Sequence, residues 1–110
     1  MTTDKTGAPT TVAAESNRFT ISIDGKSVGL TEFSDRESQR IFTHTEVADE
    51  FEGRGLATIL IGEALQATRD AGMRIVPVCK MVASYIEKHD EFADVVDPVD
   101  ADVKRWLTNS

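Results

Sequence analysis

Gly53 and Gly55 stand two residues apart in QRIFTHTEVADEFEGRGLATILIGEALQATRDA, residues 39–71, where a strand-like stretch turns into a long helical one. Glycines at that spacing let the backbone fold tightly with its N–H groups outward. The helix that begins near Arg54 adds the positive end of its dipole and amides that lack an intrahelical partner. Together these make an anion site with the chemistry to hold a phosphate. Other residue types able to do chemistry are few. His44 and Glu46 fall on one face of the preceding strand, an imidazole beside a carboxylate. Cys79 is the single cysteine and ends a short apolar run. One Cys and two His form no zinc pattern, and His89 reads as a surface residue. Ser84 has no triad context. The position after Gly53 and Gly55 where a dinucleotide fingerprint needs its third glycine is Thr58, and no Walker loop occurs.

The elements that must position these groups follow from periodicity. Phe19, Ile21 and Ile23 alternate with Thr20, Ser22 and Asp24, which predicts a half-buried strand. Asp24-Gly25 is a hairpin signal, and Val28 to Phe33 is the returning strand, followed by a polar SDRES loop. A third strand over about Gln39 to Val47 puts Ile41, Thr43, Thr45 and Val47 on one face and Phe42, His44 and Glu46 on the other. In the helix beyond the glycine turn, Leu56, Leu60, Ala64, Ala67 and Ala71 form an apolar stripe broadened by Ala57 and Ile61, with Leu65 off its centre and Gly72 as C-terminal cap. Met73 to Val78 reads as a strand parallel to the third, reached by a right-handed crossover, with Pro77 at an edge or bend. A second helix spans Lys80 to Lys88, with Met81, Val82, Tyr85 and Ile86 at packing spacing. A short terminal helix carries Trp106 and Leu107.

Composition narrows the class. The chain has 110 residues, enough for one core, with 40% hydrophobic and 28% charged residues, as in an ordinary globular domain. Nothing approaches the roughly 20 apolar residues of a membrane span, and the first residues lack a signal core, so a cytoplasmic protein with no membrane partner is expected. A formal net charge of −7 argues against nucleic acid as a partner and favours basic ones. An anionic ligand requires a locally reversed field, and Arg54, Arg74 and Lys80 lie near the turns that could supply it. Residues 1–17 read as a disordered leader, 18–97 as the folded domain and 98–110 as a tail bearing the terminal helix.

Four segments in order, HTEV at 44–47, FEGRGLA at 51–57, VPVC at 76–79 and YIEKHDEFADVV at 85–96, together resemble the minimal single-domain branch of the GNAT acyltransferases. The likeness covers roughly residues 18–96. It implies an α+β fold: a mixed sheet of about four strands, three antiparallel and then one parallel, flanked by two main helices. Acetyl-CoA is then held where the two parallel strands splay apart. By the same resemblance the backbone of Thr45, Glu46 and Val47 bonds the pantetheine arm. Gly53, Arg54, Gly55, Leu56, Ala57 and Thr58 hold the pyrophosphate, with Lys80 and Tyr85 also at the coenzyme. The chain departs from the superfamily pattern at Glu52, where Gln or Arg is common, and in its Tyr-x-Lys match, which puts Ile86 rather than Tyr85 at the position of the usual acid.

The minimal branch has a Cys and a His near the acetyl group, and the matching positions are Cys79 and His44. A cysteine at a helix start faces the positive end of the dipole, and an imidazole could take its proton. Two routes remain open: transfer through a Cys79 thioester, or direct attack by an amine with His44 as base. The implied function is acetyl-CoA-dependent transfer of acetyl to an amine, from a small molecule or a protein lysine. The alternatives are a CoA-binding or sensing module without turnover, and an interaction domain whose glycine turn binds nothing.

Overall fold

The computed structural model describes residues 2–3, 9–51 and 55–109. Glu52, Gly53 and Arg54 lie outside the described residues, and so do the roles expected of Gly53 and Arg54. Six strands form one mixed sheet in chain order: β1 (Thr2–Thr3), β2 (Pro9–Ala14), β3 (Arg18–Ile23), β4 (Lys26–Arg36), β5 (Gln39–Val47) and β6 (Arg74–Pro77). Neighbours are antiparallel through β5, and β6 is parallel to β5 across the crossover helix α1 (Leu56–Asp70). Helices α2 (Lys80–Lys88) and α3 (Ala101–Asn109) complete the described fold, with 3-10 turns at Asp49–Phe51 and Asp90–Val95.

The sheet exceeds the expected four strands because part of the supposed leader pairs with it. Thr11, Val12 and Ala13 lie opposite Ser22, Ile21 and Thr20, and Val12 packs on the core. Short polar and small side chains hide this strand from periodicity, yet its backbone groups still pair with β3. The SDRES segment is also mostly strand: β4 runs to Arg36, and the turn into β5 is made by Glu37, at φ 53°, and Ser38. Asp24 and Gly25, at φ 51° and 81°, form the tight β3–β4 hairpin.

One side of the sheet carries Phe19, Ile21, Phe33 and Phe42 against Leu56, Leu60, Ile61, Ala64 and Leu65 of α1 and Val82 of α2. Leu65 and Thr68 are buried while Ala67 and Ala71 are exposed, so the helix turns a different arc inward than the alanine stripe suggests. Alanines bury too little area to decide orientation; three leucines and an isoleucine, at about 1.5–3 kcal/mol each, decide it. Thr68 is tolerated inside because its hydroxyl donates to Ala64 O at 2.8 Å. The sheet's other side packs Ile41 and Val76 against Val103, Trp106 and Leu107 of α3.

A bulge in β5 splits these two sets. Glu32 faces His44 and Phe33 faces Phe42, so Thr43 is the extra residue. Ile41 therefore points to α3 while Thr45 points to the α1 side, and the expected grouping of Ile41 with Thr45 on one face does not hold.

Strands β5 and β6 are tied at their starts by Asp97, which accepts bonds from Gln39 Nε2 at 2.8 Å and Arg74 Nε at 2.5 Å. Partial burial pushes its carboxyl upward, but the hydrogen bonds from Gln39 and Arg74 and the Arg74 charge outweigh it, and the net shift is down. A carboxyl lowered in the folded state adds stability that is complete above its unfolded value of about 3.9 and is lost as pH falls through the folded value. Asp97→Asn is therefore expected to flatten the acid end of a stability-against-pH curve, measured by denaturant melts at successive pH values below about 5.

Candidate active site

The site begins where β5 outruns β6. Pairing between them ends at Phe42 and Pro77, and the last bond across is Cys79 N–H to Phe42 O at 2.9 Å. Beyond that point β5 continues to Val47, paired among the described residues with β4 on its far edge. Ala48 N–H bonds Val28 O at 2.8 Å, and antiparallel alternation then assigns the N–H and C=O of His44 and Glu46 to β4. The same alternation turns the N–H and C=O of Thr45 and Val47 the other way, into the fork that β6 has left. Of the backbone positions 45–47, Thr45 and Val47 open into the fork, and Glu46 bonds β4.

Among the described residues, the start of α1 supplies a second set of amides without an acceptor. Gly55 is its N-cap, at φ 78°, a left-handed conformation that glycine adopts without steric cost, and it offers no side-chain bond to the helix. The first intrahelical acceptor is Gly55 O, taken by Ile59 N–H at 3.2 Å. The amides of Leu56, Ala57 and Thr58 thus precede the helical ladder and point out of its positive end. Leu56 itself is buried and anchors the helix, whereas Thr58 is exposed.

Cys79 is the N-cap of α2, with φ −67° and ψ 130°; its carbonyl accepts Ala83 N–H at 3.0 Å. Its half-buried sulfur lies 3.4 Å from Thr45 Oγ1, and Thr45 Oγ1 lies 2.9 Å from the Oγ1 of fully buried Thr31. His44 is elsewhere. It neighbours Thr45 on the strand and so projects from the opposite face, exposed, with Nε2 3.1 Å from Glu46 Oε2. The fold brings Cys79 to Thr45 and pairs His44 with Glu46, so an imidazole acting directly on the thiol is not the arrangement found. Sequence reasoning missed Thr31; its one signal is a threonine placed on the apolar face of a strand.

Between the start of α1 and α2 runs a cleft of about 210 Å³ lined by Ala57, Thr58, Ser84, Tyr85 and Lys88 among others. A larger hollow of about 460 Å³ flanks the end of β5, reaching from Ser27 and Gly29 to Val47 and Asp49. Lys80 is exposed on the first turn of α2, beside Cys79, and does not line the cleft. The Tyr85 ring stacks on His89 at 3.9 Å between centroids and 11° between planes, so His89 is a half-buried packing partner rather than a free surface group. Burial, and secondarily the charge of Glu91, push the Tyr85 hydroxyl above its ordinary value, which keeps it a neutral phenol.

A methyl group on Gly62 would meet that hydroxyl at 2.7 Å and the ring carbon bearing it at 3.4 Å. Mid-helix Gly→Ala ordinarily gains about 1 kcal/mol. Here Gly62→Ala is expected to show no such gain in a thermal melt, and the gain should emerge in Gly62→Ala/Tyr85→Phe, which removes the obstructing oxygen.

Three comparisons bear on this geometry. A family model described as GCN5-related N-acetyl-transferase matches residues 18–95. No curated protein matches the chain. Among solved structures, it is similar to a GCN5-like protein from Staphylococcus aureus determined in solution, at 20% identity and a TM-score of 0.63, over 83% of this chain and 91% of that one. It is also similar to the ribosomal-protein-S18-alanine N-acetyltransferase from Escherichia coli, at 11% identity and a TM-score of 0.55, over 68% of this chain and 53% of that one. At these identities the two likenesses speak for the fold.

Proposed function

Because the chain belongs to the GCN5-related N-acetyltransferase family, we propose that it transfers acetyl from acetyl-CoA to an amine through a thioester on Cys79. The observation that carries this reading is the fork: Thr45 and Val47 backbone groups along one edge and the amides of Leu56 to Thr58 at its mouth, both without a partner among the described residues, and Cys79 at its apex. Amides and carbonyls of an open strand match the alternating donors and acceptors of a pantetheine arm. A helix N-terminus matches a pyrophosphate.

With the thioester carbonyl at the apex, Cys79 Sγ attacks it, an S–C bond forms to the protein, and the coenzyme's C–S bond breaks. The proton from the cysteine ends on the departing coenzyme sulfur. An amine then attacks acetyl-Cys79, the new C–N bond replaces S–C, and the amine's proton is released as the Cys79 sulfur departs. His44, exposed and paired with Glu46, is the base we assign to an amine that reaches the thioester from that face of the sheet. The net negative charge of the chain favours a cationic amine, a small molecule or a protein lysine, as that acceptor.

Incubation with acetyl-CoA followed by mass spectrometry tests the proposal. An acetyl adduct mapped to Cys79 and discharged by added amine is the expected result. Coenzyme binding by calorimetry with neither adduct nor turnover would instead make the chain a CoA-binding module.

A further inference from the structure

We propose that Thr31 and Thr45 form a pair of hydroxyls that holds the Cys79 thiol in place and donates to Sγ once its proton leaves; the role of the sulfur itself rests on the reading above. Counting protons fixes the direction of the first contact. Three heteroatoms stand in a row, Thr31 Oγ1, Thr45 Oγ1 and Cys79 Sγ, joined by two contacts of 2.9 and 3.4 Å. Thr31 has no exposed surface, and among the described residues its hydroxyl has Thr45 as its hydrogen-bond partner. Its proton must therefore go to Thr45, since a buried donor without an acceptor is costly.

Thr45 Oγ1, accepting from Thr31, also accepts the Cys79 S–H. When the sulfur gives up that proton, the Thr45 hydroxyl turns its own proton to the sulfur, so the anion meets a donor already in place. Thr31 acts through Thr45, polarising its O–H.

The charged groups on the packed elements do not duplicate this contact. On β5 and β4, His44, Glu46 and Glu32 lie on the opposite face of the sheet, the first two bonded to each other. Lys80 follows Cys79 on α2 and is exposed, Arg74 is held by Asp97 at the far end of β6, and Glu63 of α1 is exposed. Among the described residues none of them bonds the sulfur.

Cys79 is the single cysteine, so alkylation of the folded full chain by iodoacetamide reports on it alone. In Thr31→Val/Thr45→Val both hydroxyls become methyls of similar shape, which avoids orphaning either one. In the double variant alkylation at one fixed pH near neutral should run about tenfold slower than in wild type. Thr31→Val alone should slow it less, and Thr45→Ser should keep the wild-type rate. An unchanged rate in the double variant, or a Thr45→Ser rate as slow as that of the double valine, would overturn the pair's role. The assay uses no acetyl-CoA: a slowed rate in a protein that forms no acetyl adduct would uphold the hydroxyl pair and refute the function, and an unchanged rate in an active protein would do the reverse.

Discussion

Cys79→Ala should abolish the acetyl adduct and lower amine acetylation by at least about 100-fold, in the range lost when an acting nucleophile or proton-transfer group is removed. Coenzyme affinity should change little, because the contacts assigned to the coenzyme are backbone groups of Thr45, Val47 and the start of α1. The N-cap position itself should survive, since Cys79 makes no side-chain cap bond to α2. Its N–H bond to Phe42 O is a backbone contact that alanine retains. Steady-state rates with calorimetry on the same preparation separate the two effects. Turnover equal to wild type would mean that the amine attacks the bound thioester directly, leaving His44 as the base to examine.

Phe42→Ala is expected to be the most damaging single core change. Phe42 is 1% exposed, packs on Phe33 at 5.9 Å between ring centroids, and supplies the carbonyl that takes the last bond across the fork. Truncating a buried Phe typically costs about 3–5 kcal/mol, against a total of about 5–15 kcal/mol for a domain of this size. Roughly 10 °C or more should be lost in Tm, and the surviving folded fraction should bind coenzyme more weakly as the fork loosens. A denaturant melt within about 1 kcal/mol of wild type would show that the ring is not holding β5 in place.

The paired strands and both main helices were legible because their patterns are strong: Phe19, Ile21 and Ile23 alternate cleanly, and α2 begins and ends at the expected Lys80 and Lys88. Several features were not. β2 carries one apolar side chain of any size, Val12, so nothing marks it but the backbone bonds it makes to β3. The run IFTHTEV reads as unbroken alternation, and only pairing with β4 shows Thr43 to be inserted. That insertion decides what lies near the sulfur, because it brings Phe42 and Thr45 to the same side. Cys79 and His44 each stand where the sequence put them along the chain. Whether two side chains on neighbouring elements meet depends on which face each presents, and the fold gives Cys79 a hydroxyl instead of an imidazole. The backbone donors of Thr45 and Val47, by contrast, depend only on strand register.

The account rests on the fork as a coenzyme site, and a titration of the isotopically labelled chain with CoA, followed by amide NMR, tests this most directly. The amide resonances of Thr45, Val47 and Gly53 to Thr58 should move together and saturate with a single affinity, with those of Glu46 and the distant α3 helix moving far less. Resonances at Thr45, Val47 and Gly53 to Thr58 that stay in place through excess coenzyme would contradict the account.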